Sequence, residues 1–250
     1  MNKVATDRIH KVLASAGLGS RREIETWIKA GKVKVNGKLA VIGDRISIRD
    51  KVIVNGKKVF LNKILPTATR ILAYYKPAGE VCARSDPQGR KLVFASLPRL
   101  NKGRWVNIGR LDINTTGLLL FTNNGELANQ FMHPSYRFER EYAVRVFGKV
   151  GKKQIEVLKK GVDLEDGPAA FSSISEGGGE GINHWYNVVI QEGRNREVRR
   201  LWESQGFKIS RLIRIRYGTY SLPRKMRPGQ NWELSEKEIN KLINQIKVNS

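Results

Sequence analysis

Apolar residues recur at helical spacing in two short stretches near the start of the chain. Ile9, Val12 and Leu13 share one face of a helix expected from Asp7 to about Ala16, ended by the turn Gly17-Leu18-Gly19. Ser20 and Glu23 make a capping-box pair ahead of the apolar face Ile24, Trp27 and Ile28, so a second helix starts at Ser20 and stops at Gly31. Period-two segments follow at Val33 to Lys38 and Val52 to Lys57, each with an Asn-Gly pair that predicts a tight hairpin. Helix pair and hairpins make one module, residues 1–62, near the lower size limit for independent folding. A linker is expected at 63–69, where Pro66 breaks any element that would cross it.

A second domain, 70–234, opens with the apolar strand Arg70 to Tyr75 and the turn Lys76-Pro77-Ala78-Gly79. Further strands are expected at Arg104 to Ile108, Leu118 to Phe121, 138–146, Trp185 to Gln191 and Lys208 to Tyr217. In the segment 138–146, strict alternation puts Phe138, Arg140, Tyr142, Val144 and Val146 on one face, with Tyr142 pointing inward. Helices are expected at Glu126 to Met132, at Lys152 to Lys160, and after Asn195, whose side chain is placed to cap a helix carrying Val198, Leu201 and Trp202. A last helix, 235–250, starts with the capping pair Ser235 and Glu238, and the Gly-rich stretch 176–181 reads as a hairpin loop. Strands and helices do not alternate regularly, so the fold class is α+β, with a largely antiparallel mixed sheet and flanking helices.

Charge changes the picture. Lys and Arg outnumber Asp and Glu 46 to 23, a net charge of +23 over 250 residues. Residues 1–60 hold 14 basic and 5 acidic residues, and residues 192–227 hold 11 and 3. Both stretches also carry apolar periodicity, so the excess sits on folded surfaces and a polyanion is the natural partner. Membrane association is not expected, because no apolar run approaches the roughly 18 residues that a span needs. Cys82 is the single cysteine, His10, His133 and His184 are scattered without ligand spacing, and no signal-peptide pattern opens the chain. No metal, no cofactor and a cytoplasmic location are therefore expected.

The candidate chemical group is Asp112, set between Arg110 and the polar run Asn114-Thr115-Thr116-Gly117, just before the buried strand. Neighbouring positive charge and hydrogen-bond donors favour the charged form of a carboxylate, which suits a nucleophile or a base better than an acid. On spacing alone, Asp112 serves equally well as the residue that holds the turn before the strand.

Two resemblances add to this reading. Arg8, Lys11, the run Gly19-Ser20-Arg21-Arg22, Gly31 and Val33 to Lys38 resemble the S4 RNA-binding domain, which implies RNA contacts by Arg8, Lys11, Ser20, Arg21, Arg22, Lys34 and Lys38. Lys76-Pro-Ala-Gly79, Gly109-Arg-Leu-Asp112, Thr116-Gly-Leu-Leu119, Arg140-Glu-Tyr142 and Gly193-Arg-Asn-Arg-Glu-Val-Arg199 match, in order, the pattern of RNA pseudouridine synthases. The likeness is to the branch with an amino-terminal S4 domain that modifies ribosomal RNA. It implies isomerisation of one uridine of large-subunit ribosomal RNA to pseudouridine without a cofactor, by a monomer acting on an RNA stem-loop. Asp112 would act at the ribose, Tyr142 would stack on the base and Arg199 would pair with Asp112. Lys76, Arg110, Arg194 and Arg196 would hold the RNA backbone. The competing expectation is a non-catalytic RNA-binding or ribosome-assembly protein. A methyltransferase is disfavoured, because no strand, Gly-rich turn and helix offer a nucleotide cradle.

Overall fold

The chain divides into two units in the computed structural model, which describes residues 6–65, 68–179 and 181–248. Pro66, expected to break the linker, and Glu180 of the Gly-rich loop lie outside the described residues. One unit comprises Met1–Thr69 with Pro98–Val106 and Asn123–Gly125, and the other Arg70–Leu97, Asn107–Thr122 and Glu126–Ser250.

In the first unit, helix α1 runs Ile9–Ser15 and helix α2 Arg21–Lys29. Helix α1 starts later than its apolar spacing predicts, because Asp7 and Arg8 are extended and pair antiparallel with Arg45 and Ile46. The capping box of α2 is complete: Ser20 Oγ accepts the Glu23 N–H at 3.1 Å, and Glu23 Oε2 accepts the Ser20 N–H at 3.2 Å. Strands β1 (Val33–Val35) and β2 (Lys38–Leu39) turn at Asn36-Gly37, and β3 (Val52–Val54) and β4 (Lys57–Val59) turn at Asn55-Gly56. All four turn residues have positive φ, between 49° and 86°, the backbone a two-residue hairpin of this twist requires. Ile9, Leu13, Ile24, Ile28, Val33 and Val52 form the core beneath them.

The second unit is built on one mixed sheet. Its main path runs through β5 (Ile71–Lys76), β6 (Thr116–Thr122), β7 (Arg140–Phe147), β8 (Ser173–Gly178), β9 (Asn183–Ile190), β10 (Ile209–Tyr217) and β11 (Asn231–Glu233), with short strands Val106–Ile108 pairing β6 and Tyr220–Ser221 pairing β10 off this path. The strands of the main path lie in the order β8-β9-β7-β10-β6-β5-β11, and each neighbouring pair is antiparallel except β10 with β6. That parallel pair places Arg214 opposite Gly117. Gly117 has φ of +101°, and a Cβ there would collide with the Arg214 backbone, so glycine is what lets the two strands meet.

Strand β7 shows the expected alternation: Arg140, Tyr142, Val144 and Val146 are buried, while Glu141, Ala143 and Arg145 are half-buried and Phe147 is exposed. On the inner side, Trp202 stands 5.3 Å from the Tyr186 ring and 5.8 Å from Phe171. Trp202 belongs to helix α3 (Glu197–Glu203). The cap of α3 differs from expectation: the residue before it is Arg196 in the left-handed region, φ 49°, not Asn195. No side chain caps this helix; Glu197 instead reaches back to accept the Arg194 N–H at 3.0 Å, bracing the loop that leads into it. Helix α4 (Glu236–Val248) closes the chain, opened by Ser235 and Glu238 as expected, and buries Ile239, Leu242 and Ile246. Among the described residues no helix is long and apolar enough to cross a membrane.

Candidate active site

The segment before β6 cannot form regular structure, since Gly109 takes φ of +75° and the chain turns at once from Asp112 to Thr115. Hydrogen bonds from neighbouring segments hold it. Asn107 donates to the Gly109 carbonyl at 2.6 Å, and the Leu111 N–H donates to Cys82 Sγ at 3.4 Å. Gly79 N–H donates to Ile113 O at 2.8 Å, and Thr115 N–H to Asp112 O at 3.0 Å.

Lys76 supplies the strongest tie. Its ammonium donates to the carbonyls of Pro77 (3.0 Å), Ile113 (3.3 Å) and Thr115 (2.9 Å), and the residue is fully buried. The expectation that Lys76 grips RNA therefore gives way: it is an internal clamp joining the end of β5 to the Asp112 loop. Burial pushes its pKa below the ordinary lysine value, and Cys82, Glu80 and Asp112 pull it partly back.

A cleft of about 590 Å³ opens over this loop. Asp112, Tyr142 and Arg199 all line it, although they come from the loop before β6, the middle of β7 and helix α3. Arg110, Arg194 and Arg196 line it too. Arg199 does not pair with Asp112 as expected. Its Nη2 donates to the Asn114 carbonyl at 3.1 Å, and it couples to the Asp112 carboxylate by charge across space. Burial lowers the Arg199 pKa first, repulsion from Arg196 adds to this, and Asp112 opposes both. The guanidinium instead holds the backbone two residues beyond the carboxylate, and its buried Nε has no hydrogen-bond partner among the described residues.

The neighbouring arginines divide into two groups. Arg194 donates to Gly167 O at 3.1 Å and Pro168 O at 2.5 Å, and forms ion pairs with Asp166 (3.2 Å) and Glu192 (2.8 Å). Arg200 grips the same Asp166 with two 2.8 Å bonds. Arg194 is thus committed to the 162–169 hairpin, which weakens the expectation that it holds RNA. Among the described residues Arg196 pairs with Glu203 at 3.2 Å, an exposed pair of small worth, and Arg110 is exposed.

Two cleft residues were not expected. Arg140 donates to Phe138 O, Gln191 O and Tyr217 Oη, so it braces β7. Arg214 is 1% exposed, donates from Nε to Leu118 O at 2.6 Å, and leaves Nη2 without a hydrogen-bond partner. It sits directly across from Tyr142 in the β7–β10 register. The available signal was parity, because Leu212 and Arg214 alternate on the inward side of β10.

In the first unit, Arg8, Arg21, Arg22, Lys34 and Lys38 are exposed. Lys11 is tied to Asp7 at 2.6 Å, and the Ser20 oxygen is occupied by its cap. Among the described residues, no group of three or more His, Cys, Asp or Glu could hold a metal ion.

Residues 70–204 match the RNA pseudouridylate synthase family, and residues 7–52 match the S4 domain. A Pseudomonas aeruginosa protein, ribosomal large subunit pseudouridine synthase B, is 54% identical over 241 residues, 96% of this chain and 62% of that protein. The chain thus spans less than two thirds of that relative. The Salmonella typhi protein of the same name is 54% identical over 95% of this chain and 82% of its own length. A solved structure described as a pseudouridylate synthase shares 25% identity at a TM-score of 0.65, covering 94% of this chain and 99% of that one.

Proposed function

This chain belongs to the RNA pseudouridylate synthase family and carries an S4 domain, and on that premise we propose that it isomerises one specific uridine of large-subunit ribosomal RNA. In this reaction the bond from ribose C1′ to uracil N1 breaks and a bond from C1′ to C5 forms. N1 gains a proton and C5 loses one, so atoms balance with no cofactor. Asp112 acts at the ribose, as nucleophile or as the base that starts glycosidic cleavage. Tyr142 stacks on the displaced base, and Arg199 holds the Asp112 loop through the Asn114 carbonyl while its charge faces the carboxylate. Arg110 and Arg196 take the RNA backbone on either side of the cleft, and the target base leaves its stack to enter. The exposed cations Arg8, Arg21, Arg22, Lys34 and Lys38 of the S4 domain bind the stem that carries it. The chain works as a monomer in the cytoplasm.

The observation that carries this reading is the meeting of Asp112, Tyr142 and Arg199 around one cleft. The names of the relatives support the choice of large-subunit RNA. Pseudouridine mapping of ribosomal RNA from cells lacking the protein, rescued by wild type or by Asp112→Asn, tests it. One modification should vanish and return only with wild type, while the Asn variant still binds RNA. A map that does not change on removal of the protein would leave an RNA-binding role without catalysis.

A further inference from the structure

The inner face of β7 carries Tyr142; its outer face carries a different constellation. Across the sheet, Trp185 of β9, Arg145 of β7 and Arg211 of β10 are direct neighbours in register, with their side chains on the side away from Tyr142. The register shifts between Arg145 and Val146, leaving Ser210 as the extra residue of a bulge. Ser210 Oγ accepts from Arg145 Nε at 2.9 Å and donates to the Arg145 carbonyl at 3.0 Å, which aims the guanidinium. Arg145 lies 5.9 Å from the Trp185 ring centroid. Phe147, two residues on along the same face, is 53% exposed.

Like charges placed directly opposite in adjacent strands cost stability. Among the described residues neither Arg145 nor Arg211 meets a carboxylate. The nearest acids along β7, Glu139 and Glu141, are taken up by Arg216 at 3.0 and 2.6 Å. Two adjacent strands thus hold guanidiniums directly opposite each other with no carboxylate between them, next to an indole and an exposed phenyl ring. A phosphate on each arginine would offset the repulsion, and the aromatic rings offer surfaces on which bases stack.

We propose that the outer face of β9-β7-β10, built from Trp185, Arg145, Arg211 and Phe147, is a second RNA-binding site that takes unpaired RNA. Two phosphates bind Arg145 and Arg211, and bases stack on the exposed Phe147 ring and on the half-buried Trp185. An acidic protein segment would satisfy the arginines but would leave the aromatic surfaces unused.

The test uses the full chain and a labelled single-stranded oligouridylate. Ultraviolet cross-linking with peptide mapping should give adducts at Trp185 or Phe147. The double variant Arg145→Gln/Arg211→Gln should bind the oligonucleotide about tenfold more weakly, with the slope of log affinity against log salt reduced by about 1.4. Its thermal midpoint should be no lower than that of wild type, since a repulsion has been removed. If the double variant proves less stable, the single exposed Arg211→Gln carries the same test, with the slope reduced by about 0.7. A folded variant that binds as wild type does, or adducts confined to the S4 domain and the Asp112 cleft, would overturn the proposal. Displacement of the probe by polyglutamate without any Trp185 or Phe147 adduct would overturn it in favour of an acidic protein partner.

Discussion

Single side chains in this protein do work that their residue type conceals. Lys76 reads as a surface cation at the end of a strand, yet its three N–H donors each hold a different carbonyl around the Asp112 loop. Lys76→Met removes the donors and leaves buried carbonyls unsatisfied, so unfolding free energy should drop by about 3 kcal/mol. Denaturant titration measures that loss, and turnover should fall further than RNA affinity, because the displaced group is the carboxylate. Glu197 presents the opposite case. Burial raises its pKa above the ordinary carboxyl value, Glu192 adds to the rise, and the Arg194 N–H opposes it. Between the ordinary value of about 4.3 and the raised one, the native state binds more protons than the unfolded state, so this group's contribution falls as pH rises through that window. Glu197→Gln keeps an acceptor for Arg194 and removes the pH-dependent cost. Thermal melts from about pH 4 to about pH 8 should show the variant gaining on wild type as pH rises; a variant that loses ground instead would mean that the charge pair with Arg194 dominates.

At the level of elements, what was legible in the sequence was local. The Ser20–Glu23 box, the two Asn-Gly turns and the alternation of β7 each depend on residues a few positions apart, and each appears where it was expected. The parallel joining of β10 to β6 was not legible, because it links Arg214 to Gly117 across nearly a hundred residues and leaves no periodic trace. Arg214 was missed because an arginine suggests a solvated face, even though its parity with Leu212 puts it on the buried side of β10. Asp112 stood out from its neighbours and Tyr142 from strand alternation, but spacing does not bring them and Arg199 to one cleft; only the family resemblance of their motifs joined the three. Gly117→Ala tests the pairing directly. The added methyl meets the Arg214 backbone and the φ is unfavourable, so the variant should lose about 3 kcal/mol or more and its cleft should no longer form. Circular dichroism melts would report the loss, and a fully stable variant would show that the two strands can separate without harm.

For the whole molecule, the excess of 23 positive charges makes association with RNA steeply dependent on salt. Arg21→Gln/Arg22→Gln, made on an exposed turn of α2, should reduce the salt slope for a structured stem-loop by about 2 while turnover at saturating RNA stays near wild type. Equal slopes for variant and wild type would remove these arginines from the RNA interface. The clamp at Lys76 bears on how such a protein can change over generations. Gly79, Lys76 and Cys82 fasten the Asp112 loop at its base, so the chain beyond Cys82 leaves and rejoins the reacting centre at fixed points. The exposed turn Pro87-Gln88-Gly89 lies within that stretch. New sequence could be inserted there while the carboxylate stays where it is. Diversification of targets would then require changes in a tethered appendage and none in the chemistry beneath it.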